Sequence, residues 1–275
     1  MHIEHFTYGL ATPVLAYAVS VIGSLLGLAA TARARTMVDR SRRARWLLLA
    51  AWPIGGTGIW VMHFVAMMGF GVADAPVRYD IPTTVASWIL AMVVVAIGLF
   101  IVGFGRVSAV KIVAAGVLTG IGVAGMHYTG MSAMRTSAVI AYDGNLVAAS
   151  IGIAMVAATV ALWFTVTLRR GPALVIAALV MGVAVSGMHY TGMFAMRVTD
   201  IVATPIEGEL PIIFIGPIVL FMIGVIVVLL WALLNGSGEP DRGAITGPIV
   251  PSVAAPQPSP ARHRTAASAF IRPRR

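Results

Sequence analysis

Residues 126–134 read MHYTGMSAM, and nearly the same letters return at residues 188–196 as MHYTGMFAM. An earlier copy at residues 62–67 reads MHFVAM. The copies begin 64 and 62 residues apart. Because a period of that length accommodates two membrane-spanning helices and their loops, the repeat predicts three helix pairs.

The composition around the repeat is typical of a membrane protein. Of 275 residues, 59% are hydrophobic and 11% are charged, whereas a soluble domain has about 25% charged residues. This excludes a soluble enzyme, a disordered chain and a nucleic-acid-binding domain, and indicates the lipid bilayer as the surroundings. Seven apolar stretches are long enough to span it: Leu10–Ala32, Trp46–Phe70, Thr83–Phe104, Lys111–Met134, Leu146–Leu168, Ala173–Met196 and Ile212–Asn235.

We therefore predict an all-α membrane protein in which residues 1–235 form seven transmembrane helices, built from three two-helix repeats plus one helix. Pro53 and Pro217 lie inside predicted spans, where proline can kink a helix. Residues 236–275 contain seven of the 15 Pro and six Arg. This composition predicts a disordered basic Pro-rich tail.

Basic residues set the predicted orientation. Sixteen of the 19 Lys and Arg residues fall in the odd-numbered loops and the tail, whereas Arg78, Arg135 and Arg197 fall on the other side. Basic loops stay in the cytoplasm. The N-terminus is therefore predicted outside and the C-terminus in the cytoplasm, and the basic charge does not indicate a nucleic-acid partner.

Each copy of the repeat places a His and Met residues on one helix face. Positions i, i+4 and i+7 share a face, as in His127, Met131 and Met134. The first copy has Phe70 in place of the last Met. Since the chain has no Cys, disulfides, Cys-ligated zinc, iron–sulfur clusters and thiol nucleophiles are excluded. The candidate metal ligands are His63, Met67, His127, Met131, Met134, His189, Met193, Met196, Met62, Met126 and Met188.

The three copies, at the outer ends of the second, fourth and sixth spans, resemble the MHYT repeats of bacterial MHYT-domain integral membrane sensors. The resemblance covers roughly residues 1–235 and implies a multi-pass protein of the bacterial plasma membrane. It further implies copper bound by the motif Met and His residues, with sensing of oxygen, carbon monoxide or nitric oxide. Many members carry a cytoplasmic signalling domain, whereas the last residues of this sequence are predicted to be a disordered tail. We therefore expect this chain to act through a separate cytoplasmic partner.

The residue chemistry agrees with copper. Copper(I) is a soft ion that prefers thioether and imidazole ligands. The three motifs share one depth in the membrane and are expected to converge around a pseudo-threefold arrangement, either as one shared cluster or as three independent sites. The alternative is that the Met residues pack helices and each His hydrogen-bonds across them.

Neighbouring residues are predicted to play supporting roles. Tyr128 and Tyr190 are expected to hydrogen-bond across helices rather than ligate, as are Thr129 and Thr191. His2 and His5 lie on the outer side and are candidates for contact with the metal, although a mobile terminus is the preferred interpretation. Gly56, Gly120 and Gly182 each precede a copy by six residues and predict close helix approach.

Three function classes follow from these residues. The first is a membrane sensor that binds copper and senses a diatomic ligand or the redox state. The second is a copper-handling membrane protein for storage, delivery or transport. Transport predicts polar groups at successive depths, and few are present. The third, an enzyme, ranks last because the sequence contains no acid–base pair, phosphate loop or nucleophile constellation.

Overall fold

A computed structural model describes residues 3–72, 75–169, 171–201 and 205–235; the predicted tail, residues 236–275, lies outside them. The described residues include seven helices that are long and apolar enough to cross a membrane. All seven predicted spans are therefore confirmed as helices. They are α1 (Ala11–Ala34), α2 (Arg40–Met67), α3 (Ile81–Gly103), α4 (Ala109–Ser132), α5 (Gly144–Thr167), α6 (Pro172–Phe194) and α7 (Pro211–Asn235).

Six short strands pair antiparallel at the end of the molecule where the motifs lie, here called the motif end. Each pair joins the segment before an odd-numbered helix to the segment after the following even-numbered helix. The structure thus contains the three predicted repeats, α1–α2, α3–α4 and α5–α6. The pairs are β1 (Ile3–Glu4) with β2 (Gly71–Val72), β3 (Arg78–Tyr79) with β4 (Met134–Arg135), and β5 (Ala138–Tyr142) with β6 (Met196–Ile201).

The first six helices form a closed ring. Each helix from α1 to α5 packs against its successor, and α6 packs against α1. Helix α7 contacts α1 and α2. Because the even-numbered helices carry the motifs, the ring brings three motifs to one level around its centre.

Helix α2 differs from its predicted span, Trp46–Phe70, at both ends. It ends at Met67, three residues before the predicted end. It begins at Arg40, six residues before the predicted start, because the Asp39 carboxylate accepts hydrogen bonds from the backbone N–H groups of Ser41 and Arg42. That capping adds a basic turn outside the apolar stretch.

Prolines act differently in α2 and α7. At Pro53 the winding of α2 widens into a π-helix over Trp52–Val61, which agrees with an irregularity expected where proline removes a hydrogen bond. Helix α7 starts with a 3-10 turn at Pro211–Phe214 and continues as an α-helix over Ile215–Asn235. Pro217 therefore lies in the first α-helical turn, where its missing N–H is tolerated.

Candidate metal centre

Three imidazoles meet at the motif end of the ring, one from each even-numbered helix. His63 lies on α2, His127 on α4 and His189 on α6, with exposed fractions of 2%, 0% and 0%. The Nδ1 atom of His63 lies 3.0 Å from Nδ1 of His189 and 3.1 Å from Nδ1 of His127. A ligand atom from each of the three residues lies within 4.8 Å of the other two. The predicted convergence of the three His is therefore present; we call these residues the His triad.

The three rings stand nearly perpendicular to one another. Their centroids are 4.9, 5.0 and 5.2 Å apart, and their planes cross at 76°, 79° and 87°. This arrangement excludes stacking as the reason for their contact. The Nδ1 atoms meet between the rings, whereas Nε2 of His63 and Nε2 of His127 face glycines of the neighbouring motif helices.

Hydrogen bonding alone leaves the triad poorly satisfied. A neutral imidazole has one N–H donor and one acceptor nitrogen. The single Nδ1 of His63 therefore cannot form good hydrogen bonds to both neighbours. The Nε2 atoms of His127 and His189 are buried and have no hydrogen-bond partner among the described residues. Unsatisfied buried polar atoms are rare in native proteins. A cation at the centre would engage the Nδ1 lone pairs and would leave these two Nε2 atoms as they are.

Two motif glycines hold the rings in place. A Cβ added to Gly130 would overlap Nε2 of His63, and a Cβ added to Gly192 would overlap Nε2 of His127. Both glycines occupy the fifth motif position, three residues after the motif His; Ala66 is the equivalent residue in the first copy. Their role is absent from the sequence prediction, although the identity of this position in two copies is a usable signal.

The eight candidate Met ligands are all buried, with exposed fractions of 7% or less. They do not share one environment. Met188 lines a cavity inside the ring, whereas Met131 and Met134 line a groove that opens at the motif end beside Asp80 and Arg135. The structure brings the three imidazoles of the His triad together. Metal ligation by them stays a prediction, as does ligation by Met67, Met131, Met134, Met193, Met196, Met62, Met126 and Met188.

The predicted hydrogen bonds across helices form in one case. The hydroxyl of Tyr128 lies 2.6 Å from that of Ser150 on α5. The prediction is wrong for Tyr190, whose buried hydroxyl has no partner and whose ring packs against that of Phe6. It is also wrong for Thr191, which donates to the carbonyl of Gly187 on its own helix because that carbonyl lies one turn away and is always within reach.

His5 lies beside the triad instead of in a mobile terminus. Its ring contacts Phe194 at 4.8 Å and Phe70 at 5.9 Å between centroids, and burial lowers its pKa. The pairing of β1 with β2 holds the N-terminal segment against the end of α2. Phe70, which breaks the Met pattern in the first copy, thus supports an aromatic contact; His2 lies outside the described residues.

A cavity of about 60 Å³ lies inside the ring and is lined by residues of all six ring helices. Ile59, Val123 and Val185 line it, each four residues before a motif His. Residues four apart share a helix face, so the cavity begins one helical turn from the triad. Nearly all of its lining is apolar. The volume exceeds the roughly 10–15 Å³ that one water needs, so the cavity has room for a diatomic molecule. Hydroxyl groups on its lining come from Ser24, Thr119 and Thr165.

Two ion pairs fix the ends of the motif helices. Arg135, which follows the second motif, lies 3.7 Å from the Asp80 carboxylate, and Arg197, which follows the third, lies 2.7 Å from that of Asp143. Each Asp also caps the next odd-numbered helix. Hydrogen bonds from Thr83 to Asp80, and from the backbone of Asn145 and Leu146 to Asp143, lower the two pKa values, as do the paired arginines.

A family model described as "MHYT: Bacterial signalling protein N terminal repeat" matches residues 56–115, 120–178 and 182–245. The matches begin at Gly56, Gly120 and Gly182, the three glycines that precede the motifs.

Several curated proteins are similar to the chain. MucR of Pseudomonas aeruginosa, named a bifunctional diguanylate cyclase/cyclic di-GMP phosphodiesterase, is 37% identical over 183 residues, which are 63% of this chain and 27% of MucR. NbdA of the same organism, named a cyclic di-GMP phosphodiesterase, is 32% identical over 74% of this chain and 26% of NbdA. The signaling protein YkoW of Bacillus subtilis is 28% identical over 73% of this chain and 26% of YkoW. The chain thus spans about a quarter of the length of these relatives. No solved structure matches it.

Proposed function

The chain belongs to the MHYT family of bacterial signalling proteins, and from this premise we propose that it is a membrane sensor that binds copper at His63, His127 and His189. The observation that carries the proposal is the convergence of three buried Nδ1 atoms within 4.8 Å. Imidazole is a good ligand for copper, and thioethers of nearby Met residues suit copper(I). Bound copper would supply an exchangeable coordination position for oxygen, carbon monoxide or nitric oxide, or a change of redox state.

The cavity inside the ring supports a diatomic ligand. It lies one helical turn from the triad and is lined by residues such as Ile59, Val123 and Val185. Apolar cavities in proteins stay dry and take up small apolar molecules. A neutral gas that has entered the ring would therefore be held next to the triad, away from competing water.

The same cavity favours sensing over transport. A copper pathway needs ligands at successive depths. Beyond Met181 and Met188, the described residues that line the cavity offer only the hydroxyls of Ser24, Thr119 and Thr165 as polar groups. Copper storage or delivery at the motif end stays the alternative function.

Signalling requires that ligand binding change the ring. Each member of the His triad belongs to a different helix pair. A change in how tightly the three imidazoles are held would therefore shift the three helix pairs together. We propose that this shift reaches the opposite end of the helices, which the charge distribution assigns to the cytoplasm, and is read there by a separate signalling partner. MucR and NbdA are enzymes by name, but the chain covers 27% and 26% of their lengths, and for this chain we propose no catalytic activity of its own.

Metal analysis of the protein purified in mild detergent tests the proposal. We expect bound copper in preference to zinc and magnesium, and loss of copper in the triple variant His63→Ala/His127→Ala/His189→Ala. His263→Ala, outside the described residues, is the matched control. Full copper occupancy in the triple variant would contradict the proposal.

Single variants distinguish a shared centre from independent sites. Since Nδ1 of His63 contacts both other members, each single His→Ala change should remove most copper, and double variants should add little further loss. Additive losses would instead indicate three separate sites.

Copper binding without a carbonyl infrared band after reduction under carbon monoxide would favour copper handling over gas sensing.

A further inference from the structure

Two arginines line a cavity at the end of the ring opposite the His triad. Arg35 follows the last residue of α1, and Arg43 lies in the first turns of α2. The cavity measures about 120 Å³ and is closed on its other sides by residues of α3 and α5 and of the loop after α3, such as Leu99, Thr165 and Val107. We call it the Arg pocket.

Within the part of the chain that the structure describes, the Arg35 guanidinium has no hydrogen-bond partner and that of Arg43 is only partly satisfied. Nε, Nη1 and Nη2 of Arg35 are all buried without a hydrogen bond, as is Nε of Arg43. Nη2 of Arg43 donates to the carbonyl of Met37 at 3.0 Å. A guanidinium stays charged in proteins and carries five N–H donors. Burying such a charge without a partner is costly, so the pocket is built for a group that is itself negative.

The charges around the pocket on the described residues do not provide that group. Burial and the nearby positive charge of Arg169 lower the pKa of Arg35. Asp39, the acid in the loop between α1 and α2, is engaged by Ser41 and Arg42 as the cap of α2. Within the described part of the chain, no ion pair joins Arg35 or Arg43 to a carboxylate.

We propose that Arg35 and Arg43 bind one phosphate group, which belongs either to the headgroup of an anionic lipid or to a soluble phosphate. The planar fork of arginine matches phosphate oxygens in a bidentate manner, and one phosphate has enough acceptor oxygens for both side chains. The pocket lies at a helix end where lipid headgroups are found, and basic pockets between helices recognise such headgroups.

A phosphate in the Arg pocket would tie α1 to α2. It would also lie close to the centre of the ring, because Leu99 and Thr165 line both the Arg pocket and the cavity below the His triad. The occupant is therefore positioned to stabilise one arrangement of the ring helices. This inference does not depend on copper, since no residue of the Arg pocket belongs to the motifs.

Thermal unfolding of the full chain tests the site in two arms. In the first, protein in neutral detergent is titrated with inorganic phosphate against chloride at equal ionic strength. In the second, protein in phosphatidylcholine nanodiscs is compared with protein in nanodiscs that also contain phosphatidylglycerol. The variants are Arg35→Gln and Arg43→Gln. The control is Arg106→Gln, which removes an exposed charge at the same end.

We expect the wild-type protein and Arg106→Gln to be stabilised in at least one arm. The lipid arm identifies a headgroup and the phosphate arm a soluble ligand. Each pocket variant should bind phosphate about tenfold more weakly or worse, because charged hydrogen bonds are lost. Without phosphate, Arg35→Gln should be as stable as the wild type, since an unpaired buried charge is removed.

Two results would overturn the proposal. One is an unchanged response of Arg35→Gln and Arg43→Gln in both arms. The other is an equal loss of response in Arg106→Gln, which would indicate general surface attraction. If a Gln variant fails to fold, Arg35→Lys keeps the charge without the planar fork and should bind phosphate more weakly than the wild type; equal binding would again overturn the proposal.

Discussion

At the scale of single residues, the fifth motif position controls the His triad. Gly130 and Gly192 leave no space for a Cβ beside the imidazoles of His63 and His127. Each motif thus supplies an imidazole to the His triad and, in two copies, a glycine against which the imidazole of another helix packs. This reciprocal arrangement explains how three bulky rings fit where three helices meet.

We predict that Gly130→Ala and Gly192→Ala weaken metal binding because the added methyl group displaces an imidazole of the triad. The matched controls are Gly125→Ala and Gly187→Ala on the same helices, where an added Cβ meets nothing within 4 Å. Copper affinity in detergent should fall about tenfold or more in the first two, as expected for a ligand lost or misplaced. Equal affinities in all four variants would show that the glycines do not position the rings.

The residues of the His triad were predictable from the sequence. The orientation of their rings and the position of the neighbouring His5 were not. Three copies of one motif at one depth indicate that His63, His127 and His189 converge. No pattern in the sequence specifies that Nδ1 rather than Nε2 faces the centre, since that depends on side-chain rotamers. The position of His5 follows from strand pairing between distant segments, which a short N-terminal stretch does not reveal.

At the scale of secondary structure, Asp80 and Asp143 each connect the two helices of one repeat. Each caps an odd-numbered helix and pairs with the arginine after an even-numbered one. The backbone N–H of Asp80 also donates to the carbonyl of Ala133, and that of Asp143 to the carbonyl of Ala195, two residues before the paired arginine in each case. One residue thus contacts both the start of the odd-numbered helix and the end of the motif on the even-numbered helix of the same repeat.

We predict that Asp143→Asn makes the protein less stable at neutral pH but less sensitive to acid. Asn still caps a helix but forms no ion pair with Arg197. The folded pKa of Asp143 is lowered, so its ionisation adds stability above the unfolded pKa of about 3.9. That stability is lost as the pH falls through the folded pKa.

Melting temperatures of the wild type and Asp143→Asn between pH 7 and pH 2 measure this effect. We expect the wild type to melt higher at neutral pH and the two curves to meet at the acid end. A constant difference across the whole range would show that the carboxylate charge is unimportant and that only the shape of the cap matters.

Close contact between α1 and α2 depends on glycines around the π-helix. A Cβ on Gly23 would overlap the backbone of Gly58 and lie 2.5 Å from the carbonyl oxygen of Pro53. Backbone atoms cannot move aside as a side-chain end can. We predict that Gly23→Ala destabilises the protein by about 1–3 kcal/mol, as overpacking does. Denaturation in mild detergent measures the change. Gly152→Ala on α5, where an added Cβ has open space, should stay within about 0.5 kcal/mol of the wild type.

The helices were predictable in number and approximate extent because spans are defined by apolar length. Their local winding was less so. Pro53 indicates an irregularity in α2, but the 10-residue π-helix depends on how α1 and α3 pack against it. The start of α2 at Arg40 depends on a cap at Asp39, and apolar length contains no information about polar turns beyond the membrane.

At the scale of the whole molecule, three helix pairs close into a ring because α6 returns to α1. The repeat predicts three equivalent pairs and a common level for the motifs, and closure places those motifs around one centre. The seventh helix has no counterpart in the repeat, and its position against α1 and α2 is decided by packing that the sequence pattern does not encode.

The ring also separates two kinds of chemistry. The His triad and the ion-paired strands lie at the motif end, and the Arg pocket lies at the other end, with the apolar cavity between them. If the chain binds copper as we propose, the end that faces the cytoplasm determines from which side of the membrane the copper comes. The charge distribution predicts that the motif end is outside.

Because the chain has no Cys, single introduced thiols can test this orientation. Val139 on β5, 45% exposed, marks the motif end, and Val38 between α1 and α2, 85% exposed, marks the other. On intact cells stripped of their outer barrier, a membrane-impermeant maleimide should label Val139→Cys and not Val38→Cys. Both should react after the membrane is permeabilised, which shows that each thiol is accessible. Labelling of Val38→Cys alone on intact cells would reverse the orientation, place the His triad near the cytoplasmic face, and make the cytoplasm the source of its metal.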